Sequence, residues 1–209
     1  MTIKLGVLIS GSGTNLQAII DAIGAGTLDA EVALVVSSRE SAYGLKRAAE
    51  AGIQTFSMTP EAYRDDPILA DEVIASMLLQ YQVDYVVMAG YMRMVREPML
   101  VAFPNRIVNL HPALLPAFKG AHAIEDAWTR GVKVTGVTVH FADADYDCGP
   151  IIAQSPVVVD EGMTLGELEE RIHATEHVLY PQTLQLLAEG RVHVMPDKTV
   201  RIDPPVSQV

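Results

Sequence analysis

One cysteine, Cys148, stands in a chain of 209 residues, so an intrachain disulfide is excluded and a zinc site of four cysteines cannot form. Positive charge is also scarce. Lysine and arginine number 15 against 26 acidic residues, for a formal net charge of -11; this balance opposes sequence-independent attraction to nucleic-acid phosphates, which calls for a basic patch or stripe. No apolar run reaches membrane-spanning length, and Met1-Thr2-Ile3-Lys4-Leu5 lacks the basic region and cleavage site of a secretory leader. The expected location is the cytoplasm, with neither nucleic acid nor membrane as partner. No internal repeat, low-complexity tract or interdomain linker is present. Cys148 follows Asp147 and precedes Gly149-Pro150. With no histidine close in sequence, it reads as a small turn residue rather than a nucleophile.

What the chain does contain is apolar material, 49% of residues, dispersed in short runs, the composition of a globular protein that buries a sizeable core. Strands are expected at residues 5–9, 32–36, 53–57 and 85–89, alternating with helices at 16–25, 42–51 and 67–81. This βαβα order predicts an α/β, Rossmann-like fold: a mainly parallel central sheet flanked by helices, with ligands outside the carboxyl ends of the strands. A short helix at 123–129 precedes strands at 132–141 and 151–159, whose alternating apolar pattern suits an antiparallel pair. A long helix at 164–188 and a hairpin of 192–195 with 200–202 complete a single domain over 1–203, and Pro204-Pro205 opens a tail over 204–209.

Several loops carry chemistry. In Asn109-Leu110-His111-Pro112 the amide and the imidazole are two residues apart, so an extended strand points both to one face. Asn109 can donate to a developing oxyanion and His111 can move protons near neutrality. Asp147, in a turn made by Gly149-Pro150, supplies a carboxylate. The plain alternative is that Asn109 caps a turn, His111 ends a strand and Asp147 is a turn former. Ser10-Gly11-Ser12-Gly13-Thr14-Asn15 joins the first strand to the first helix, where backbone N–H groups and the helix dipole can hold an anion. Without Gly-Lys-Ser/Thr or a third glycine it is neither a P-loop nor a full dinucleotide fingerprint, and a phosphomonoester fits better than NAD or ATP. His173-Ala174-Thr175-Glu176-His177 matches the H-x-x-E-H pattern of inverted zinc peptidases, but lacks a recognisable third ligand; a polar helix face or anion contact is preferred and no metal is expected. Gly90-Tyr91-Met92-Arg93-Met94-Val95 follows a strand and offers apolar walls and a cation to a flat heteroaromatic ligand, or merely core methionines. His140 reads either as a partner of the site or as an ordinary strand residue.

Taken in order, Ser-Gly-Ser-Gly-Thr-Asn, Ala-Gly-Tyr-Met-Arg, Asn-Leu-His-Pro-Ala-Leu-Leu-Pro, Val-His-Phe, Asp-Cys-Gly-Pro and Glu-His-Val-Leu-Tyr-Pro closely resemble the phosphoribosylglycinamide formyltransferases, from about Ile3 to Val194. The resemblance implies transfer of formyl from 10-formyltetrahydrofolate, a co-substrate, to the amine of glycinamide ribonucleotide in purine synthesis. It implies Asn109, His111 and Asp147 as the catalytic group. It places Gly13, Thr14, Asn15 and Glu176 around the ribonucleotide phosphate, with His173 where many members have glutamine. It places Met92, Arg93, Met94 and Val95, with Ala142, Asp143, Ala144, Asp145, Tyr146 and Asp147 opposite, around the folate. Arg64 is the candidate for the arginine that members turn toward the folate glutamate tail. The resemblance thus divides the domain into a phosphate-binding half, 1–104, and a catalytic and folate half, 105–203; a monomer or homodimer is expected. Formyltetrahydrofolate deformylases carry an added N-terminal domain and a second histidine after the catalytic one, where this chain has Pro112. Methionyl-tRNA formyltransferases add a C-terminal domain and a basic surface. A catalytically silent binding module would not need Asn109, His111 and Asp147 together.

Overall fold

Seven strands form one sheet in the order β3-β2-β1-β4-β5-β6-β7, in a computed structural model that describes residues 2–205. The strands are β1 (Ile3–Ile9), β2 (Ala30–Ser37), β3 (Thr55–Ser57), β4 (Tyr85–Met88), β5 (Ile107–His111), β6 (Val134–Phe141) and β7 (Ile151–Val158). The first five run parallel to their neighbours, whereas β6 is antiparallel to both β5 and β7. The expected mainly parallel sheet with an antiparallel C-terminal part is therefore present. A second, two-stranded sheet joins β8 (Val192–Val194) to β9 (Val200–Ile202). Of the expected tail, residues 206–209 lie outside the described residues.

Period-two alternation explains why helices cover both faces. Leu5, Val7 and Ile9 of β1 enter a cluster with Leu16 and Ile19 of α1 (Thr14–Gly24) and Tyr180 and Leu184 of α7 (Leu165–Ala188). Leu8 turns the other way, into a cluster with Ile74 and Leu78 of α4 (Pro67–Gln80) and Met99 of α5 (Glu97–Ala102). Gly6 shares that face because a Cβ there would lie 2.3 Å from Leu78 Cδ2, well inside contact distance. The remaining helices are α2 (Tyr43–Glu50), α3 (Pro60–Asp65) and α6 (Ala123–Arg130).

α3 and α5 were not expected. Each is six residues long with proline in its first turn, too short for a 3.6-residue period to show but well suited to a proline-started helix. β6 and β7 form the expected antiparallel pair, and β6 is covered on both faces, with seven of its eight residues buried. Its Val137, Val139 and Phe141 face α7, while Gly136 and Thr138 are roofed by the segment after β5, with Thr138 Oγ1 donating to Ala113 O at 2.6 Å, and His140 lies near Asp147.

α7 begins at a capping box, in which Thr164 accepts from the Glu167 N–H and Glu167 from the Thr164 N–H. Near the middle of this helix the fully buried Tyr180 hydroxyl lies 2.9 Å from Val108 O and 3.2 Å from Met88 O, tying the helix to the end of β4 and the start of β5. Tyr180→Phe should therefore fold but lose about 1–3 kcal/mol, the usual cost of leaving buried acceptors unpaired. A urea midpoint equal to wild type at unchanged slope would refute this.

Candidate active site

The sheet order reverses between β1 and β4, and the loops leaving β1, β4 and β5 gather around that switch point. Two cavities open there. The larger, about 390 Å³, is lined by Ser10 to Asn15, Arg39, Met92, Asn109, His111, Tyr146, His173 and Glu176, among others. The smaller, about 30 Å³, is lined by Met94, Val95, Asn109, His140, Ala142, Asp143, Asp145, Tyr146 and Asp147, with Met88. Met88, Asn109 and Tyr146 border both.

Strand pairing builds the centre. Asn109 sits opposite His140, and His111 opposite Thr138, all on the face that Ile107 shares with the α4 and α5 cluster. His140 Nδ1 lies 2.8 Å from Phe141 O, a pure acceptor, so that nitrogen carries the proton. Nε2 is then free to accept from Asn109 Nδ2 at 3.1 Å. Burial pushes the His140 pKa below its ordinary value, against the backbone bond to Phe141 and the charge of Asp147, which keeps the ring neutral in this role. The contact orients the Asn109 amide and leaves its second N–H for another acceptor. Of the two readings of His140, the partnered one holds.

The same bookkeeping applies to His111. Its Nε2 lies 2.8 Å from Phe118 O and must donate, which leaves Nδ1 as the nitrogen that faces Asp147 Oδ2, at 3.4 Å. Asp147 Oδ2 also accepts the Gly120 N–H at 2.9 Å, and Oδ1 lies 3.8 Å from His140 Nε2. The Asp147 backbone is left-handed at φ 52, a conformation aspartate tolerates better than most residues. Gly149 closes the loop where a Cβ would sit 1.9 Å from Phe141 O. Asn109, His111 and Asp147 are thus brought together.

A second polar group forms at the start of α1. Gly13, left-handed at φ 69, begins this helix without a side-chain cap, leaving first-turn N–H groups able to hold an anion. A Cβ on Gly13 would sit 2.6 Å from the Gly44 Cα of α2, so the close approach of the two helices requires glycine. Asn15 Nδ2 donates to Glu176 Oε2 at 3.0 Å and His173 Nδ1 meets the same oxygen at 2.9 Å. This hydrogen bond raises the His173 pKa above its ordinary value, against partial desolvation. Gly13, Thr14, Asn15, His173 and Glu176 all line the larger cavity. His177 does not join them; it borders a separate groove with Gln17, Asp21 and Arg47, so the H-x-x-E-H residues do not converge. Among the described residues no group of three His, Cys, Asp or Glu side chains is placed to hold a metal.

The loop after β4 is held at both ends: Ser10 Oγ accepts the Met92 N–H at 2.8 Å, and the buried Asp71 carboxylate of α4 accepts the Arg96 N–H at 2.7 Å. Met92, Met94 and Val95 reach the cavities. Arg93 does not; its guanidinium lies over the Tyr63 ring, 4.8 Å from the centroid, and Tyr63 in turn bonds Tyr91. Arg64 pairs with its neighbour Asp65 at 3.0 Å and lines neither cavity. Asp143 is gripped by Lys198 of the β8–β9 hairpin at 2.6 Å, which lowers its pKa; Ala144 lines neither cavity. Arg39 lines the larger cavity without having been expected there. The missed signal was positional, for β2 ends on the same edge as β1 and β4.

The sequence matches the formyl transferase family over residues 3–184. The chain belongs to that family. Among its relatives is the phosphoribosylglycinamide formyltransferase of Bacillus subtilis, 39% identical over 184 residues that cover 88% of this chain and 94% of the relative. The human trifunctional purine biosynthetic protein adenosine-3 is 40% identical over 91% of this chain, and the chain spans only 19% of that protein's length. The solved glycinamide ribonucleotide transformylase 1 of Symbiobacterium toebii superposes with a TM-score of 0.93 at 52% identity, over 97% of this chain and 95% of that one. A formyltetrahydrofolate deformylase of Pseudomonas syringae shares the fold, with a TM-score of 0.89 at 23% identity over 98% of this chain and 67% of that one.

Within this formyl transferase the histidines should titrate apart. In an NMR titration the His173 ring should turn over above its ordinary 6.5 and His140 below it. Glu176→Gln should bring His173 back down without moving His140. Because the folded pKa of His173 is raised, its stabilisation is full below the unfolded value and lost as pH rises through the folded one; the variant should lack that pH-dependent part. A His173 midpoint unmoved by Glu176→Gln would refute the assignment.

Proposed function

We propose that this formyl transferase is a phosphoribosylglycinamide formyltransferase, moving the formyl group of 10-formyltetrahydrofolate to the amine of glycinamide ribonucleotide in purine biosynthesis. The observation that carries the reading is the meeting of the two cavities at Asn109, beside the facing side chains of His111 and Asp147. The larger cavity suits a phosphorylated acceptor, whose phosphate takes the N–H groups of Gly13, Thr14 and Asn15. The ring end of the donor goes beside the smaller, between Met94 and Val95 on one side and Ala142, Asp143, Asp145, Tyr146 and Asp147 on the other. Met92 flanks the same entrance from the larger cavity. The curated relatives and solved structures named for this reaction support it, as does the length of chain they share.

The acceptor amine attacks the formyl carbon and a C–N bond forms. Negative charge gathers on the formyl oxygen, where the free N–H of Asn109 meets it; the other N–H stays on His140, so the amide needs no reorientation during the step. Asp147 takes a proton from the amine and passes it to the departing folate nitrogen, with His111 beside the carboxylate, and the old C–N bond breaks. Holding donor and acceptor at one junction removes an entropic cost of up to about 7–11 kcal/mol. No covalent enzyme intermediate is needed. The reaction places the protein in the cytoplasm, with two small anionic ligands as its partners. No helix among the described residues is long and apolar enough to cross a membrane.

Incubation with 10-formyltetrahydrofolate should release the formyl group when glycinamide ribonucleotide is added, and not with charged initiator tRNA or water alone. Formyl loss in water at the same rate would overturn the proposal in favour of a hydrolase. Asp147→Asn should bind both ligands yet lose about 10²- to 10⁴-fold in kcat, the range for a general acid or base; near-normal turnover would remove Asp147 from the mechanism. Exhaustive chelation should leave turnover intact, and a metal-dependent activity would reopen the histidine pair of α7.

A further inference from the structure

We propose that Arg39 selects the phosphorylated acceptor over its dephosphorylated counterpart, an inference that rests on the reaction assigned above. A phosphate entering the larger cavity meets one Lys or Arg side chain among the described residues of its wall, that of Arg39. The other cation near the glycine loop, Arg47, is committed to protein, donating to Ser12 O at 2.9 Å and Gln17 Oε1 at 3.1 Å. Arg39 has no such commitment through its guanidinium, which makes no hydrogen bond or ion pair within the described residues.

Its backbone, by contrast, is fixed. Ser37, wholly buried at the end of β2, accepts the Arg39 N–H at 3.2 Å and donates to Arg39 O at 2.7 Å. The next residue, Ser38, also wholly buried, bonds Ser10 Oγ at 2.6 Å, and its N–H donates to Ile9 O at 3.0 Å. The pedestal of Arg39 is therefore continuous with the root of the glycine loop. A buried polar assembly that ends in an exposed, unpaired arginine is an expensive way to build a surface turn and a direct way to aim a cation.

The far end of the glycine loop shows what is missing. Asn15, nine-tenths buried, spends its Nδ2 on Glu176 while its Oδ1 is left without a partner, and Glu176 adds a carboxylate to a chain already at -11. Asn15 Oδ1 can take a hydroxyl or N–H of the acceptor's sugar or amide. It cannot take phosphate. The helix α1 terminus supplies partial charge only; a guanidinium supplies a full one and a planar fork matched to phosphate oxygens.

The test is the kinetics of Arg39→Gln and Arg39→Lys with two acceptors, glycinamide ribonucleotide and the glycinamide riboside that lacks the phosphate. Arg39→Gln should raise KM for the ribonucleotide roughly 10- to 100-fold, the span of a charged hydrogen bond, with kcat and the KM of the folate donor little changed. Arg39→Lys should recover part of the loss. With the riboside the penalty should vanish. An equal penalty on both acceptors, or none on either, overturns the proposal. If the wild-type protein does not formylate the ribonucleotide, the reaction assignment falls, and Arg39 is then decided by titration with inorganic phosphate. Tighter binding to wild type than to Arg39→Gln upholds the phosphate contact; equal binding, or binding to neither, ends it.

Discussion

The hydrogen bond between Asn109 and His140 spans the place where the sheet changes from parallel to antiparallel, and the candidate site is arranged around it. β5 is parallel to β4 on one side, so its carboxyl end joins the crowded edge where ligands bind. On its other side β6 returns in the opposite sense and delivers a histidine across from the amide. A wholly parallel sheet would have needed a crossover to bring another strand there. The antiparallel return does it with register alone, and the loop that follows β6 then supplies Asp147.

Cover completes the arrangement. Ile107 is packed by helices, but Asn109 and His111 on the same face lie under loops, held by backbone carbonyls and hydroxyls. Phe118 O and Phe141 O, two groups with no chemistry of their own, decide which nitrogen of each histidine carries its proton. The second nitrogen of His111 then faces a carboxylate, and that of His140 accepts from an amide. Identical side chains a few ångströms apart take different parts through different carbonyls.

The strands and longer helices of the domain were legible because period and punctuation agree: Gly52 and Gly190 follow helices, Thr164 precedes one, and Asn109 and His111 share a face by simple alternation. The glycine loop and the Asp147 turn were legible for the same reason. α3 and α5 were not, each being scarcely longer than a turn and marked only by a proline. The antiparallel pairing of β6 with β7 was legible from alternation, but not the burial of both faces of β6, because alternation cannot reveal a loop that folds back over the polar face. Arg93 looked like a ligand contact from its place in a loop; its stacking on Tyr63 depends on a helix far away in sequence. Arg39 failed to attract notice for the converse reason, since only the sheet order shows that the end of β2 borders the same cavity as the end of β1.

Tyr180 has a consequence for the order in which the chain becomes competent. Its hydroxyl reaches the carbonyls of Met88 and Val108 from the last long helix, and the same helix carries His173 and Glu176 to the larger cavity. A chain emerging from the ribosome can pair β1 to β5 and bury much of its core long before residue 165 is made. Until then the strand ends stay untied and the wall opposite the glycine loop is missing. The helix that completes the core around β1 thus also completes the wall of the larger cavity, so packing and site are finished by the same late element.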